Sequence, residues 1–427
     1  MNEVNTQRNK AAPQRRGKKV AIFHCGFIYS GGGERIVIEE ALGLKKRGFE
    51  VIVRTPTLNP TKCYPDLLPN IDAQTLLPPL LPNFSYKYAL QMVATSVLAP
   101  LLAFQYRDTD VFIGANQPGA WLAYCMAKVL NKPYLVYLNQ PNRLLYPREV
   151  DRENGWVTET SYEFLAKVIH FLRPVIKIID DLSFGQANVK LVNGSYIAGL
   201  VESIYQFKTV NCPAGAHPQA EIKLAKEGTA FHGQCHIGKF ALNKPYILLT
   251  NRHDPQKKFE YAIEAMKLVK TRYPKVKLII PGPFTRHTPQ LLALVRKRRL
   301  SAHVLFLGQI SESDLQRLYQ HAAVYIYTAP QEDFGIGPLE AGAWAVPTVA
   351  WNNAGPTVTV EDGVTGFLAQ PFDIADFAEK IIWILEDPLF QYHMGRAAWE
   401  KVQREFTWDR HVEILEREIA NLSQTRD

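Results

Sequence analysis

The sequence predicts an α/β protein of two doubly wound, Rossmann-like domains facing each other across a cleft, and three observations carry that prediction. Strand and helix patterns alternate from Lys19 to Val192 and again from Tyr246 onward. An irregular stretch around 212–243 separates the two runs. The length, 427 residues, accommodates two or three domains of about 150 residues each. The expected division is a basic tail over 1–17, a first domain over 18–215, a connector over 216–243 and a second domain over 244–404. A last helix over 405–427 is expected to pack back toward the first domain.

Residues 19–25 form a short apolar strand, and Gly31, Gly32 and Gly33 make the turn after it. Residues 34–47 then place Ile36, Val37, Ala41 and Leu44 on one helical face, Gly48 stops the helix, and 51–53 is the next strand. This βαβ unit implies a parallel sheet. Further strands are expected at 111–113, 134–138, 176–179 and 189–192. The pattern restarts with a strand at 246–250, a loop at 251–257 and a helix at 259–272. Strands at 277–280, 304–306, 324–327 and 348–350 follow with helices between them. No period of 20–50 residues recurs, which excludes a solenoid.

Composition narrows the function classes. Hydrophobic residues at 47% and charged residues at 21% fit a globular chain that folds without disulfides, and no uninterrupted apolar run reaches the roughly 18 residues of a membrane span. Residues 1–19 hold Arg8, Lys10, Arg15, Arg16, Lys18 and Lys19 against Glu3. That segment therefore carries +5 of a net +8. A nucleic-acid enzyme would spread basic charge over a folded face instead. The tail lacks the apolar stretch of a secretory signal and reads as disordered, either solvated or attracted to anionic lipid. Five scattered cysteines (Cys25, Cys63, Cys125, Cys212, Cys235) suggest a reducing cytoplasm rather than a disulfide framework. Cys212, His217, His232, Cys235 and His236 include enough ligands for zinc, but their spacing matches no standard finger, and no metal is expected.

Residues 76–104 stand apart. Leu76, Leu77, Leu80 and Leu81 sit among prolines, and 86–104 is apolar apart from Lys87, Gln91 and a few hydroxyls. Such a segment can lie in a membrane interface, line an acceptor groove, or form buried helices of the first domain.

Chemistry concentrates in 328–368. After the strand at 324–327 the chain turns through Pro330, Gln331, Glu332, Asp333, Phe334 and Gly335, and a helix starts at Ile336 with Glu340 in its first turns. Ligands of open α/β sheets bind beyond the carboxyl ends of strands, where helix N-termini favour anions. Two carboxylates at such a place fit a polyhydroxylated ligand, because charged acceptors bind hydroxyls strongly. Arg252 and Lys257 follow the strand at 246–250 and supply fixed positive charge for a phosphate or diphosphate.

Three further stretches complete a pattern: Asn251-Arg252 with Lys257, Glu332 through Ala341 with a Glu-x7-Glu spacing, and Gly355-Pro356 followed by Glu361-Asp362-Gly363-Val364-Thr365-Gly366-Phe367-Leu368. With the Gly31–Gly33 turn and Glu34-Arg35, they resemble the retaining nucleotide-sugar glycosyltransferases of family 4, over about residues 18–418. The resemblance implies the GT-B fold, with Arg252 and Lys257 on the donor diphosphate and Glu340 on the ribose. It places Glu332 and the amides of Phe334 and Gly335 on the transferred sugar, Ile336 beside them in the donor-binding set, and Gly308 and Ile310 at the nucleobase. Gly32 and Gly33 form the N-terminal glycine loop against the donor. Front-face attack, with the leaving diphosphate accepting the proton, then needs neither metal nor other cofactor.

The motif style is that of mannosyltransferases acting on lipid-linked glycans. It implies GDP-mannose or a UDP-sugar as donor and a glycan or lipid-linked acceptor. Peripheral membrane contact through 76–104 and the basic tail, at the inner face, is expected, and nucleic acid is not. The chain departs from the pattern at Asn139, where a His-x-Pro motif would place histidine, and at Val358, where a glutamate is usual. Asn139 is nevertheless assigned to the catalytic set, since its amide both donates and accepts hydrogen bonds. A transferase for soluble acceptors, of the sucrose or glycogen kind, and a non-catalytic relative are the alternatives. A nicotinamide enzyme is excluded because the loop lacks G-x-G-x-x-G and the second strand ends in Arg54 rather than an acid. Asp108-Thr109-Asp110 spells a metal motif but precedes its strand, on the edge away from the cleft. His24 ends the first strand and is either an acceptor contact or a buried structural group.

Overall fold

The computed structural model describes residues 17–79, 87–154, 162–219 and 232–424. The tail over 1–16, Leu80 and Leu81, and 220–231 of the expected connector lie outside them.

The first sheet holds β1 (Lys19–His24), β2 (Glu50–Thr55), β3 (Ala73–Thr75), β4 (Val111–Ala115), β5 (Tyr134–Leu138), β6 (Val189–Val192) and β7 (Val210–Asn211). All its pairings are parallel, in the order β3-β2-β1-β4-β5-β6-β7. A hairpin, β8 (Gln234–Ile237) and β9 (Phe240–Asn243), leads to the second sheet. That sheet comprises β10 (Tyr246–Leu248), β11 (Lys277–Pro281), β12 (Val304–Gly308), β13 (Val324–Tyr327), β14 (Thr348–Trp351) and β15 (Gly366–Ala369). It too is wholly parallel, in the order β12-β11-β10-β13-β14-β15. The central strands are buried on both faces, which is why they read as continuous apolar runs rather than alternations.

Around the first sheet run α1 (Gly32–Lys46), α2 (Lys87–Leu102), α3 (Asn116–Leu130), α4 (Glu149–Asn154), α5 (Tyr162–Gly185) and α6 (Ser195–Tyr205). Around the second run α7 (Phe259–Arg272), α8 (Thr288–Lys297), α9 (Glu312–His321), α10 (Ile336–Ala343), α11 (Pro356–Thr359) and α12 (Ile374–Glu386). The chain ends in α13 (Pro388–Glu405) and α14 (Trp408–Gln424). Helix starts follow their caps: Ser311 accepts from the Asp314 amide, and Asp373 and Asp387 accept from the first amides of α12 and α13. The closing helix lies on α1, where Gly43 lets Val412 approach and Glu40 meets His411 at 3.3 Å in a fully buried pair.

Two expectations are corrected. Residues 176–179 are not a strand; they lie within α5, whose buried side carries Asp180, Ser183 and Phe184 at helical spacing. A four-residue apolar run cannot by itself distinguish the two states. The connector is not irregular throughout, because Cys235, Ile237 and Leu242 alternate inward and seal the β8–β9 hairpin onto the second domain's core. The cysteine–histidine cluster disperses. Cys212 Sγ lies 3.5 Å from His411 Nδ1 in the first domain, His217 Nε2 lies 3.1 Å from Glu39, and Cys235 Sγ faces the Arg317 carbonyl at 3.9 Å.

Candidate active site

In both sheets the strand order reverses at one point: between β1 and β4 in the first, and between β10 and β13 in the second. Loops leaving the carboxyl ends of neighbouring strands diverge there and open a crevice. The residues with chemistry lie on those loops.

Arg252 and Lys257 follow β10. The Arg252 guanidinium lies 3.9 Å from the centre of the Tyr29 ring, on the first domain, and 3.3 Å from Asp254. Lys257 ends a single 3-10 turn, and its Nζ stands 2.5 Å from Glu332 Oε2. Burial would raise the Glu332 carboxyl, but the charges of Lys257 and Arg148 outweigh it and hold the pKa at about 2. Glu332 is therefore an anion at any physiological pH.

Glu340 has a different setting. It sits one turn into α10 and accepts a hydrogen bond from the Tyr319 hydroxyl at 2.9 Å. Burial raises its carboxyl above the ordinary value, with Arg35 opposing. Arg35 reaches from α1 to Glu39 at 2.8 Å and to Glu312 of the second domain at 3.5 Å. Arg252, Lys257 and Glu332 thus form one charge cluster, and Glu340 stands apart from it beside Tyr319, in the field of Arg35 and Glu312.

The α10 start is shaped by glycine. Gly335 has φ +88°, a conformation that favours glycine, and it turns the chain from the Glu332–Phe334 loop into the helix. Gly355 approaches so closely that a Cβ would fall 2.4 Å from the Phe334 backbone; its amide donates to the Glu332 carbonyl at 2.8 Å. Phe334 is buried against Gly194 and Phe406, and Ile336 meets Gly32 across the domain boundary. Val358, where the resemblance leads one to expect a glutamate, is half-buried against the apolar core.

On the first-domain side, the Asn139 side chain comes within contact distance of the Gly33 position, and its backbone N–H donates to Asn116 Oδ1 at 2.9 Å. Both polar atoms of the Asn139 amide are enclosed without a protein partner, an arrangement suited to a ligand hydroxyl. His24 is fully buried behind the glycine loop, 3.6 Å from Cys25 Sγ and 3.8 Å from Glu34. Burial alone would lower its pKa, yet Cys25 and Glu34 raise it to about 10. Gly308 ends β12, two strands from the one that leads to Arg252, with Ile310 in the loop after it and Gly308 beside the exposed Phe284 ring. Asp110 caps the amino end of the first sheet, accepting from the Lys19 amide at 2.8 Å.

Sequence reasoning missed the residues that join the domains here. Arg143 is hydrogen-bonded to Asp333 in a buried ion pair. Arg148 donates to the Gln331 carbonyl at 3.1 Å, stands 3.7 Å from Asp333, and is fixed by Asp151. Arg143 lies four positions after Asn139, and no spacing rule links it to a partner 190 positions away.

Residues 236–401 match the model of the glycosyl transferases group 1 family. The chain is 26% identical over 408 residues to the human alpha-1,3/1,6-mannosyltransferase ALG2, covering 92% of this chain and 93% of that protein. It is likewise 26% identical to the Neurospora crassa alpha-1,3/1,6-mannosyltransferase alg-2, with 96% and 92% covered. Among solved structures it is similar to sucrose-phosphate synthase from Thermosynechococcus elongatus, at TM-score 0.72 and 18% identity over 96% of this chain and all of the other. It is also similar to HepE from Anabaena in complex with UDP and glucose, at TM-score 0.68 and 15% identity over 95% of this chain and all of the other. The structural likenesses establish the shared fold.

Proposed function

We propose that this chain is a group 1 glycosyltransferase, GT-B in fold and related to the mannosyltransferases of lipid-linked glycans, and that it moves mannose from GDP-mannose to a lipid-linked glycan. The observation that carries this reading is the convergence of Arg252, Lys257 and Glu332 at the reversal point of the second sheet, with Glu340 behind them.

Each residue then has a physical task. Breaking the sugar–phosphate bond builds negative charge on the diphosphate, and preorganised cations there stabilise it without rearrangement. Arg252 and Lys257 hold that charge in place, so the reaction is metal-independent and requires no other cofactor. Lys257 must share its proton donors between Glu332 and the phosphate; Glu332, permanently ionised, then accepts from the hydroxyls of the sugar. Glu340 receives the ribose hydroxyls next to Tyr319. Asn139 binds the sugar from the first domain, and the acceptor hydroxyl attacks from the face on which the diphosphate departs. The diphosphate takes the proton, which conserves the anomeric configuration.

Work at the cytoplasmic face of a membrane fits this acceptor and the five free cysteines. The test is transfer by purified protein from GDP-mannose, with UDP- and ADP-sugars as competitors, to a polyprenyl-diphosphate glycan or a soluble sugar phosphate. Proton NMR of the product reports its anomer. A β-linked product, or turnover of the soluble acceptor alone, overturns the reading.

A further inference from the structure

Three metal-ligating side chains converge behind the glycine loop, and the transfer chemistry uses none of them. His24 ends β1, Cys25 follows it, and Glu34 stands in the first turn of α1. The loop over 26–33 thus returns the chain to the place where it left the sheet. One donor atom from each of the three side chains lies within 4.8 Å of the other two. His24 Nε2 is the apex, 3.6 Å from Cys25 Sγ and 3.8 Å from Glu34 Oε1.

Those separations are close to the edges of a coordination tetrahedron. An ion bound at about 2.0 Å to nitrogen, about 2.1 Å to oxygen and about 2.3 Å to sulfur spaces its ligands roughly 3.4–3.6 Å apart. The edges at His24 need to close by no more than a few tenths of an ångström. The imidazole is already oriented, because its ring packs on Phe27 with centroids 5.0 Å apart. Glycine at position 33 leaves the ring free, since a Cβ there would stand 3.8 Å from His24 Cε1.

The cluster also lacks the partners that buried polar groups normally have. Glu34 is 5% exposed, and among the described residues its ion-pair contact is His24 alone, at a distance longer than a hydrogen bond. His24 is 1% exposed, and its Nδ1 has no partner. A cation placed among the three donors supplies the missing charge. Cys25 is half-buried and is the side from which an ion and a completing water would enter.

The donor set selects the ion. One thiolate, one imidazole and one carboxylate suit zinc and its borderline neighbours, whereas magnesium and calcium require oxygen ligands. We propose that His24, Cys25 and Glu34 bind one divalent cation of the zinc class, which fastens the amino end of α1 to the carboxyl end of β1. Binding releases the Cys25 thiol proton, and any proton on His24 Nε2, to solvent. The clasp closes the base of the loop that carries Tyr29, whose ring lies 3.9 Å from the Arg252 guanidinium. It therefore steadies the edge of the donor site, and no step of the transfer passes through the ion.

The test uses the purified full chain, stripped with EDTA and kept reduced with a phosphine. Zinc is titrated by calorimetry and cadmium by ultraviolet absorption. Wild type is expected to bind one equivalent of either ion, and cadmium to raise a thiolate charge-transfer band. Cys25→Ser should abolish the band. Glu34→Gln should weaken zinc by at least the roughly 10–100-fold that loss of a second-sphere partner costs. Zinc should raise the melting temperature of wild type but not of Cys25→Ser, because it binds the folded state. Cys63→Ser, in the core, and Cys212→Ser, beside His411, should keep the full band. Circular dichroism establishes that each variant is folded before titration. A wild-type chain that takes up no zinc, a band that survives Cys25→Ser, or a band lost in Cys63→Ser or Cys212→Ser would each overturn the proposal. These readouts need neither donor nor acceptor, so they stand apart from the proposed transfer.

Discussion

Lys257 and Glu332, 75 positions apart in sequence, share a 2.5 Å ion pair at the mouth of the cleft. In the proposed reaction the pair would hold a cation where phosphate charge develops and an anion where sugar hydroxyls lie. Replacing Lys257 or Arg252 with alanine should lower kcat by about 10²–10³ each. Circular dichroism should show an unchanged fold, and wild-type turnover in either variant would remove the diphosphate role.

The same pair sets an acid limit. The Glu332 carboxyl is depressed in the folded chain from 4.5 to about 2, so its contribution to stability is complete above about 4.5 and disappears as pH falls toward 2. Chemical denaturation of wild type across that window should show a steeper loss than Glu332→Gln. Parallel curves would mean the pair does not form in solution.

Asp180 acts in the opposite sense. Burial raises it from 3.8 to about 6 despite hydrogen bonds from Asn142, Tyr205 and Gln117. The folded chain therefore binds this proton more tightly than the unfolded one, and stability rises as pH falls from about 7 to about 4. The melting temperature of wild type relative to Asp180→Asn should climb through that range, and a constant difference would contradict the buried carboxylate.

Glu340 should govern nucleotide affinity ahead of turnover. Losing a buried, charged hydrogen-bond acceptor costs about 1.5–3 kcal/mol, roughly 10–100-fold in binding. Calorimetric titration of Glu340→Ala with GDP should show that loss, and Tyr319→Phe a smaller one. Unchanged affinity would move the ribose elsewhere.

Arg143→Ala leaves Asp333 buried with Arg148 as its remaining cationic neighbour at 3.7 Å. Removing one partner of a buried pair costs about 3–5 kcal/mol. Urea unfolding should place the variant near the lower end, since Arg148 stays. Combining it with Asp333→Leu should recover much of the loss, because no buried charge is then unpaired.

What the sequence determined by itself is whatever depends on neighbours along the chain. Strands 134–138 and 324–327 and helix 259–272 coincide with the elements observed, because buried parallel strands and amphipathic helices write their periods locally. The positions of Arg252, Lys257, Glu332 and Glu340 were legible for the same reason: each follows a strand end, where α/β sheets place their ligand loops. Residues 176–179 failed, since a short apolar run is equally a strand or the exposed side of α5.

Only the tertiary structure decided the partnerships. It set Lys257 on Glu332 and left Glu340 with Tyr319 and Arg35, although the two glutamates are eight residues apart on one motif. It put Arg143 and Arg148 on Asp333 and dispersed the cysteines and histidines of 212–236. These follow from how two sheets and their connections are wound, and Coulomb and packing energies act across space with no regard for separation along the chain.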